Sequence, residues 1–431
     1  MRNRQTIRPV VKRKLCTGCG TCAGICPREA IAMVVRKGRF IPRLDKNRCI
    51  QCGLCFEACP GHRVDFDEIS ARLFGDIPHD LALGRFLGCY LGHAVDPCVR
   101  YDGASGGLVS ALLAFALEEG LIDGALVTRM REDDPLRPES WLARTRSGIL
   151  AAAGSKYCPV AAGATLAEIL KSEGRYAVVG LPCHIQGLRK AEQCIPQLKE
   201  QIRYRISLAC SLNYSFRGTE RFLESRGIPP AAVDVLQYRG RGWPGSMLIH
   251  LRDGTEHVVP LAEFYRELAP YSLRRCTLCS DMLGELSDLT CGDAWLPDLV
   301  QTDHLGTSFV VSRTDAAEEL LELAASKQAI ELSELGLDEL LASQGRALFK
   351  KRKLQARMAL FKLAGRSVPT YQQKLLPPTR ADYLNSIKLY AARYALSGNH
   401  RLLRRFFRTA RRQRRPVPQS PLPGAELLSR R

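Results

Sequence analysis

Two cysteine runs of identical form constrain the N-terminal part of this chain more than any other feature. Cys16-x2-Cys19-x2-Cys22-x3-Cys26-Pro27 is followed by Cys49-x2-Cys52-x2-Cys55-x3-Cys59-Pro60. Three thiolates on one tight loop suit three corners of an iron–sulfur cubane, and the fourth corner has to be reached from elsewhere. Zinc is the rival metal, but its sites usually take two pairs of ligands rather than two runs of four. A disulfide framework fits poorly. The 17 cysteines are an odd number in a chain of 431 residues, and no export signal precedes them.

The runs resemble those of two-cluster ferredoxins, in which the last Cys of each run crosses to the other cluster. The resemblance assigns Cys16, Cys19, Cys22 and Cys59 to one [4Fe–4S] cluster, and Cys49, Cys52, Cys55 and Cys26 to a second. Gly18, Gly20 and Gly53 lie between ligands, where a missing side chain lets amides approach sulfur. Residues 30–35 and 40–41, around the Lys37-Gly38 turn, predict a hairpin. The module is expected over residues 9–65, with a linker at 65–83.

Apolar residues make up 45% of the chain and charged residues 25%, which is ordinary globular usage. No run approaches the roughly 18 apolar residues of a spanning helix, and Met1-Arg2-Asn3-Arg4-Gln5 leads into no apolar segment. A cytoplasmic location is expected. The net charge of +19 is concentrated at the C-terminus, where residues 380–431 hold 13 Lys and Arg against Asp382 and Glu426. No nucleic-acid-binding module accompanies these arginines, so nucleic acid is not an expected partner.

The body reads as α/β. Residues 108–117 predict a helix with Ser105 as its N-cap. Residues 124–128 and 176–180 predict strands, the second breaking at Leu181-Pro182-Cys183 into a helix from about His184. Such strand–turn–helix edges are where open α/β sheets bind ligands. Residues 246–250 and 256–260 flank Asp253-Gly254 as a hairpin, 308–311 predict a strand, and 316–325 a helix. The fold class expected is α+β: a bacterial-type ferredoxin module, an α/β flavin-binding body and a basic helical tail.

Five motifs in order carry a second resemblance. They are Ala104-Ser105-Gly106-Gly107, Gly154-Ser155-Lys156-Tyr157, Gly180-Leu181-Pro182-Cys183-His184, Cys276-x2-Cys279-x-Asp281 and Gly292-Asp293-Ala294-Trp295. With the cysteine runs, the chain resembles the coenzyme F-420 (deazaflavin) hydrogenase and dehydrogenase β subunit family over residues 10–345. The resemblance implies an N-terminal family domain at 86–195, a C-terminal one at 196–345 and a tail at 346–431. It also implies FAD and a further [4Fe–4S] cluster near it, for which Cys183, Cys210, Cys276 and Cys279 are the expected ligands and Cys291 a competitor. Cys89, Cys98, Cys158 and Cys194 are expected to be buried structural thiols.

What the resemblance implies for the flavin is a phosphate site at Ser105, Gly106 and Gly107 and contacts from Ser155, Lys156 and Tyr157. Lys156 is the candidate cation that tunes the ring, and His184 the candidate proton relay. Arg144, Arg146, Arg239 and Arg241 are candidates for an acidic substrate tail. The implied activity is oxidoreduction between a two-electron partner, such as reduced deazaflavin, and a protein carrier or partner subunit. The alternatives are a non-catalytic electron-transfer subunit and a tetrapyrrole reductase of the same family. In the tail, Arg401, Arg404, Arg405, Arg408, Arg411, Arg412 and Arg415 recur at helical spacing around Phe406 and Phe407. That pattern predicts a basic amphipathic helix able to rest peripherally on an anionic membrane.

Overall fold

A computed structural model describes residues 5–75, 79–373 and 375–396. Its centre is a mixed eight-stranded sheet. Across it the strands run Ile330–Glu334, Gly88–Ala94, Ser308–Ser312, Leu289–Asp293, Ile202–Leu208, Tyr176–Gly180, Gly124–Met130 and Pro138–Ala143. The four inner strands from Leu289–Asp293 to Gly124–Met130 are mutually parallel, and the flanking pairs are antiparallel. Parallel strands need both faces covered, and these read as apolar runs such as Tyr176-Ala177-Val178-Val179. The helices Leu108–Glu118 and Asp315–Ser326 close one face, burying Leu112, Leu113 and Leu321 against Ala177, Ile206 and Val310.

A second, smaller layer is a three-stranded antiparallel sheet of Val233–Gly240, Ser246–Leu251 and Glu256–Pro260. The predicted hairpin is its second half, and the preceding strand is an addition to the sequence reading. Phe216, Phe222, Phe264 and Tyr238 pack beneath it. The fold is thus mixed α/β behind a ferredoxin-type domain.

The predicted N-terminal hairpin pairs Ile31–Arg36 with Arg39–Leu44. The expected linker after it contains a helix, Phe66–Phe74, because Asp65 caps it by accepting from the Glu68 amide at 3.2 Å. Ile69 and Phe74 then fall on its buried side. Ser105 does not cap the Leu108–Glu118 helix. Gly107 takes that position at φ 66°, and the Ser105 hydroxyl donates to the Thr307 carbonyl at 3.1 Å. The expected tail boundary falls inside a helix, Leu337–Arg352. It is no boundary physically: Lys351 and Arg352 are buried, and Thr370–Gln372 pairs in parallel with Arg63–Asp65 of the N-terminal module. The arginine run at 401–415 lies outside the described residues.

What seats the ferredoxin module is backbone on backbone. A Cβ on Gly24 would stand 2.0 Å from the Gly163 carbonyl oxygen, and one on Gly20 2.4 Å from that of Ala161. Between them the Gly163 amide donates to the Cys19 carbonyl at 2.8 Å. On the other side, a Cβ on Gly187 would reach the Thr21 hydroxyl at 2.4 Å. Gly24→Ala is therefore expected to destabilise the protein by about 1–3 kcal/mol, the usual cost of overpacking. The control is Gly24→Ala against Lys14→Ala, an exposed surface change, compared by urea unfolding. Equal midpoints for the two would show that this contact does not hold the module.

Candidate electron-transfer site

The ligand loops bend where side chains are tolerated least. Gly18, Gly20 and Gly53 sit at φ between 83° and 86°, a left-handed region that glycine enters without steric cost. These turns leave amides facing sulfur. The Gly61 amide donates to Cys59 Sγ and the Ala30 amide to Cys26 Sγ, both at 3.3 Å. The Gly18 amide does the same at Cys16.

The thiols fall into three groups by mutual electrostatics. Burial pushes Cys59 up to about 12, with Cys19 and Cys16 adding to it. Burial also raises Cys22 well above the ordinary thiol value, with Cys19, Cys59 and Cys16 adding to it and Cys55 of the second group contributing as well. In the second group, burial raises Cys55 to about 11, with Cys52, Cys26 and Cys49 contributing. Cys26, Cys49, Cys52 and Cys55 also line a single cavity, together with Ile31 and Leu44.

The third group comes from three separate elements of the body. Cys183 stands in the first turn of the Pro182–Cys194 helix, just past the Tyr176–Gly180 strand, and Cys210 follows the Ile202–Leu208 strand. Cys276 lies within a short 3-10 turn, Arg274–Leu278, and Cys279 directly follows it. Burial raises Cys183, and its charged neighbours are Cys19, Cys210, Cys279 and Cys276. Burial likewise pushes Cys210 up to about 12, beside Cys276 and Cys279. Cys19 therefore links the first group to the third. Among the described residues no three Cys, His, Asp or Glu side chains approach closely enough to grip a single metal ion.

Cys291 is elsewhere. It lies in the sheet core, 2% exposed, raised by burial with no thiol neighbour. Of the four expected structural thiols Cys158 is buried, Cys89 and Cys194 are half-buried, and Cys98 is exposed, contrary to the expectation for it.

The chain matches the family model described as coenzyme F420 hydrogenase/dehydrogenase, beta subunit N-term, over residues 89–167, and the corresponding C terminus model over 173–337. A 4Fe-4S dicluster domain model matches residues 15–62. The chain belongs to the coenzyme F420 hydrogenase/dehydrogenase beta subunit family.

Within that family it is 27% identical over 303 residues to coenzyme F420 hydrogenase subunit beta of Methanothermobacter thermautotrophicus, which covers 67% of this chain and 100% of the relative. It is 27% identical over 348 residues to the coenzyme F420-dependent sulfite reductase of Methanocaldococcus jannaschii, covering 76% of this chain but only 49% of that one. A chain in the solved F420-reducing [NiFe] hydrogenase complex from Methanosarcina barkeri superposes with a TM-score of 0.53 at 25% identity. That likeness covers 66% of this chain and 96% of the other. This is an iron–sulfur electron-transfer protein of an oxidoreductase family, carrying a dicluster ferredoxin domain.

The family's other motifs also meet. Gly106 abuts Gly306, where an added Cβ would lie 2.4 Å from the carbonyl oxygen. Gly306 in turn packs on Trp243, whose indole N–H donates to Asp293 Oδ1 at 2.7 Å. Asp293 takes two bonds from Arg239, at 2.9 and 2.6 Å, and Arg239 reaches the Tyr157 hydroxyl at 3.4 Å. Trp243 and Trp295 stack at 4.9 Å between centroids. Three of the five motifs, those at 104–107, 154–157 and 292–295, are thereby joined through Arg239 and Trp243, neither of which is part of any of them.

The expected basic patch is not a patch. Arg239 is buried on Asp293, Arg241 pairs with Glu256, and Arg146 with Asp96 and Glu118. Arg144 donates to the Tyr176 hydroxyl and to Ser172. Lys156, between half-buried Ser155 and Tyr157, gives its ammonium to the carbonyls of Ala152, Ala153 and Gly154 at 2.6, 2.8 and 2.9 Å. Burial pulls it down to about 7, and the three carbonyl acceptors oppose that by favouring the charged form. Both nitrogens of His184 are engaged: Nδ1 accepts from the Leu181 amide and Nε2 donates to the Val160 carbonyl, each at 3.1 Å. Burial lowers it to about 4, so the ring is neutral and has no nitrogen left for substrate.

Sequence reasoning missed Arg275 and Lys351, both buried beside the third thiol group. Adjacency to Cys276 was a usable signal for Arg275. Lys351 had none, lying 72 positions beyond Cys279 in the chain.

Arg239→Met should lower stability by about 3 kcal/mol, because it strands the Asp293 carboxylate against Trp243 and Trp295. Urea unfolding of the variant checks this. A loss below about 1 kcal/mol would mean that water reaches Asp293 readily and the pair is no keystone.

Proposed function

We propose that the chain catalyses oxidoreduction of a two-electron deazaflavin substrate and exchanges the electrons singly with a protein partner. The observation that carries this is the continuity of the thiol groups, since Cys183 of the third has Cys19 of the first among its charged neighbours. Cys183, Cys210, Cys276 and Cys279 would hold one [4Fe–4S] cluster, Cys16, Cys19, Cys22 and Cys59 a second, and Cys26, Cys49, Cys52 and Cys55 a third. Three of the outer four, Cys26, Cys49 and Cys52, are half-buried and Cys55 is buried, whereas three of the inner four, Cys19, Cys22 and Cys59, are buried and only Cys16 is half-buried. That makes the third of these the exit toward a partner. The related beta subunit in the hydrogenase complex supports a partner subunit of that kind.

One feature of the residues around Gly106 and Gly107 supports a flavin nucleotide there. The Leu108–Glu118 helix starts at a left-handed glycine with no side-chain cap, so its first amides remain donors for phosphate. FAD bound there would supply the exchange between paired and single electrons that cubanes lack. Ser105 is occupied with Thr307, so main-chain N–H groups rather than its hydroxyl would hold the phosphate. Lys156 ties the Ala152, Ala153 and Gly154 carbonyls together beside Tyr157. His184 fixes the Cys183 turn and moves no proton.

A second reading concerns the C-terminal end. Leu363, Leu384 and Ile387 are 85%, 59% and 50% exposed on the last described helices, just ahead of the arginine-rich segment. Among the described residues no helix is long and apolar enough to cross a membrane. Peripheral attachment to an anionic surface fits both features.

Anaerobic purification should yield about 12 iron atoms per chain, four per cubane, and Cys276→Ser should remove about four. A count near eight in the parent chain would eliminate the body cluster. Acid precipitation should release one FAD per chain; a supernatant without flavin fluorescence would leave only a non-catalytic electron-transfer subunit. For the second reading, the full chain should co-sediment with anionic liposomes in low salt and a chain ending at Leu396 should not. Equal sedimentation of the two would end that idea.

A further inference from the structure

We propose that Arg275 is a fixed positive bridge between the inner ferredoxin cluster and the body cluster, locking their ligand loops together and raising the reduction potential of both. The inference rests on the ligand reading above for Cys16, Cys19, Cys22 and Cys59 and for Cys183, Cys210, Cys276 and Cys279.

One guanidinium reaches both sets of loops. Arg275 Nε donates to the carbonyls of Leu15 at 3.1 Å and Gly61 at 3.3 Å. Leu15 immediately precedes Cys16, and Gly61 is the residue whose own amide donates to Cys59 Sγ. On the other side, Nη1 donates to the Leu278 carbonyl at 2.8 Å, one residue before Cys279. Nη2 completes the set with the Tyr371 hydroxyl at 2.8 Å and the Pro60 carbonyl at 3.5 Å. Leu15 and Leu278 are 263 residues apart in the chain, and no other side chain among the described residues has hydrogen bonds to both.

The charge is what needs explaining. Arg275 is 5% exposed, and no carboxylate pairs with it among the described residues. The comparable arginines are all compensated. Arg189 and Arg205 share Asp288 and Glu192, Arg239 has Asp293, and Arg352 has Glu285. Arg313 and Arg357 lack a direct carboxylate partner, but Arg313 has Asp281 and Glu285 as charged neighbours and Arg357 has Asp382. A buried cation without an anion is costly, and carbonyl dipoles satisfy its donors without cancelling its charge. The anions within its reach are sulfurs: Cys279 and Cys183 on one side and Cys16 on the other. A cubane with four thiolates carries net negative charge that grows by one on reduction. A cation held between two such groups stabilises the reduced state of each.

Lys351 provides an internal comparison. Its ammonium donates to the Asp281 carbonyl at 2.8 Å, the same oxygen that the Cys279 thiol contacts at 3.3 Å. Its thiol neighbours are Cys279, Cys210 and Cys276 and include none from the ferredoxin module. Lys351 therefore acts on the body cluster alone, and Arg275 on two.

The test is an EPR-monitored redox titration of the full, anaerobically purified chain, with Cys276→Ser and Cys52→Ser identifying the body and outer signals. In Arg275→Gln the inner and body clusters should each become harder to reduce. The reduced-to-oxidised ratio at fixed potential should fall on the order of tenfold, equivalent to about 59 mV for a one-electron couple. The outer cluster should not move. Arg275→Lys, which keeps the charge and loses the fork, should restore most of the shift, and Lys351→Gln should lower the body cluster only. Unmoved midpoints in Arg275→Gln, or a Lys variant no better than the Gln one, would overturn the bridge. If Arg275→Gln loses iron, the parent chain decides: its fully reduced spectrum should show spin interaction between the inner and body clusters, and independent signals would overturn the proposal. A parent count near eight iron atoms refutes the ligand reading itself, whereas a count near 12 with unshifted potentials refutes only the bridge.

Discussion

Where Gly24 meets Gly163, two stretches of main chain touch with no side chain between them. The consequence is distance. Electrons cross protein only over short gaps, and every side chain interposed between ferredoxin module and body would widen the gap between the Cys19 and Cys183 thiol groups. Glycine at positions 20, 24, 163 and 187 brings Cys19 beside the Cys183 turn, and the Gly163 amide bonded to the Cys19 carbonyl fixes the register of that approach. The parallel pairing of Thr370–Gln372 with Arg63–Asp65 and the Lys190 bonds to the Cys59 and Arg63 carbonyls add lateral restraint. A module that looks separable in sequence is thus built into the body.

Close approach creates an electrostatic problem. Burial pushes these thiols up, several to about 11 or 12, so without a cluster they remain neutral. Ligation requires them ionised, and the surroundings must then hold concentrated negative charge in a poorly polarisable interior. Main-chain amides at Cys16, Cys26 and Cys59 contribute dipoles. Arg275 and Lys351 contribute whole charges. Further away, the buried quartet Arg189, Glu192, Arg205 and Asp288 is balanced within itself. Such a network adds little stability against an apolar alternative but enforces one arrangement, here tying the Pro182–Cys194 helix that carries Cys183 to the central strands.

The motif cluster around Asp293 follows a different logic. Its members are short, turn-forming and dispersed over the chain, and they become one surface only because Arg239 and Trp243 converge on a single carboxylate. Gly106 and Gly306 interlock for a steric reason, and Ser105 is spent on that junction rather than on capping. The helix behind is left with open amides as a by-product of this packing.

That the N-terminal module is a dicluster ferredoxin domain was legible in the sequence, because cubane geometry forces local spacing and the runs are contiguous. The strands and helices of the body were legible for the same local reason, from Tyr176–Gly180 to Ser308–Ser312. The Phe66–Phe74 helix was passed over although Asp65 and Glu68 announced it. Other features depended on partners distant in the chain. His184 looked reactive until both nitrogens were seen bound to backbone, and four arginines looked like a patch until each had its own partner. Lys351 looked like tail until the Leu337–Arg352 helix carried it to the Asp281 carbonyl. Spacing along a chain determines which thiols can share a loop. Only tertiary structure decides which charges are buried beside them, because burial and pairing depend on segments that sequence separation does not relate.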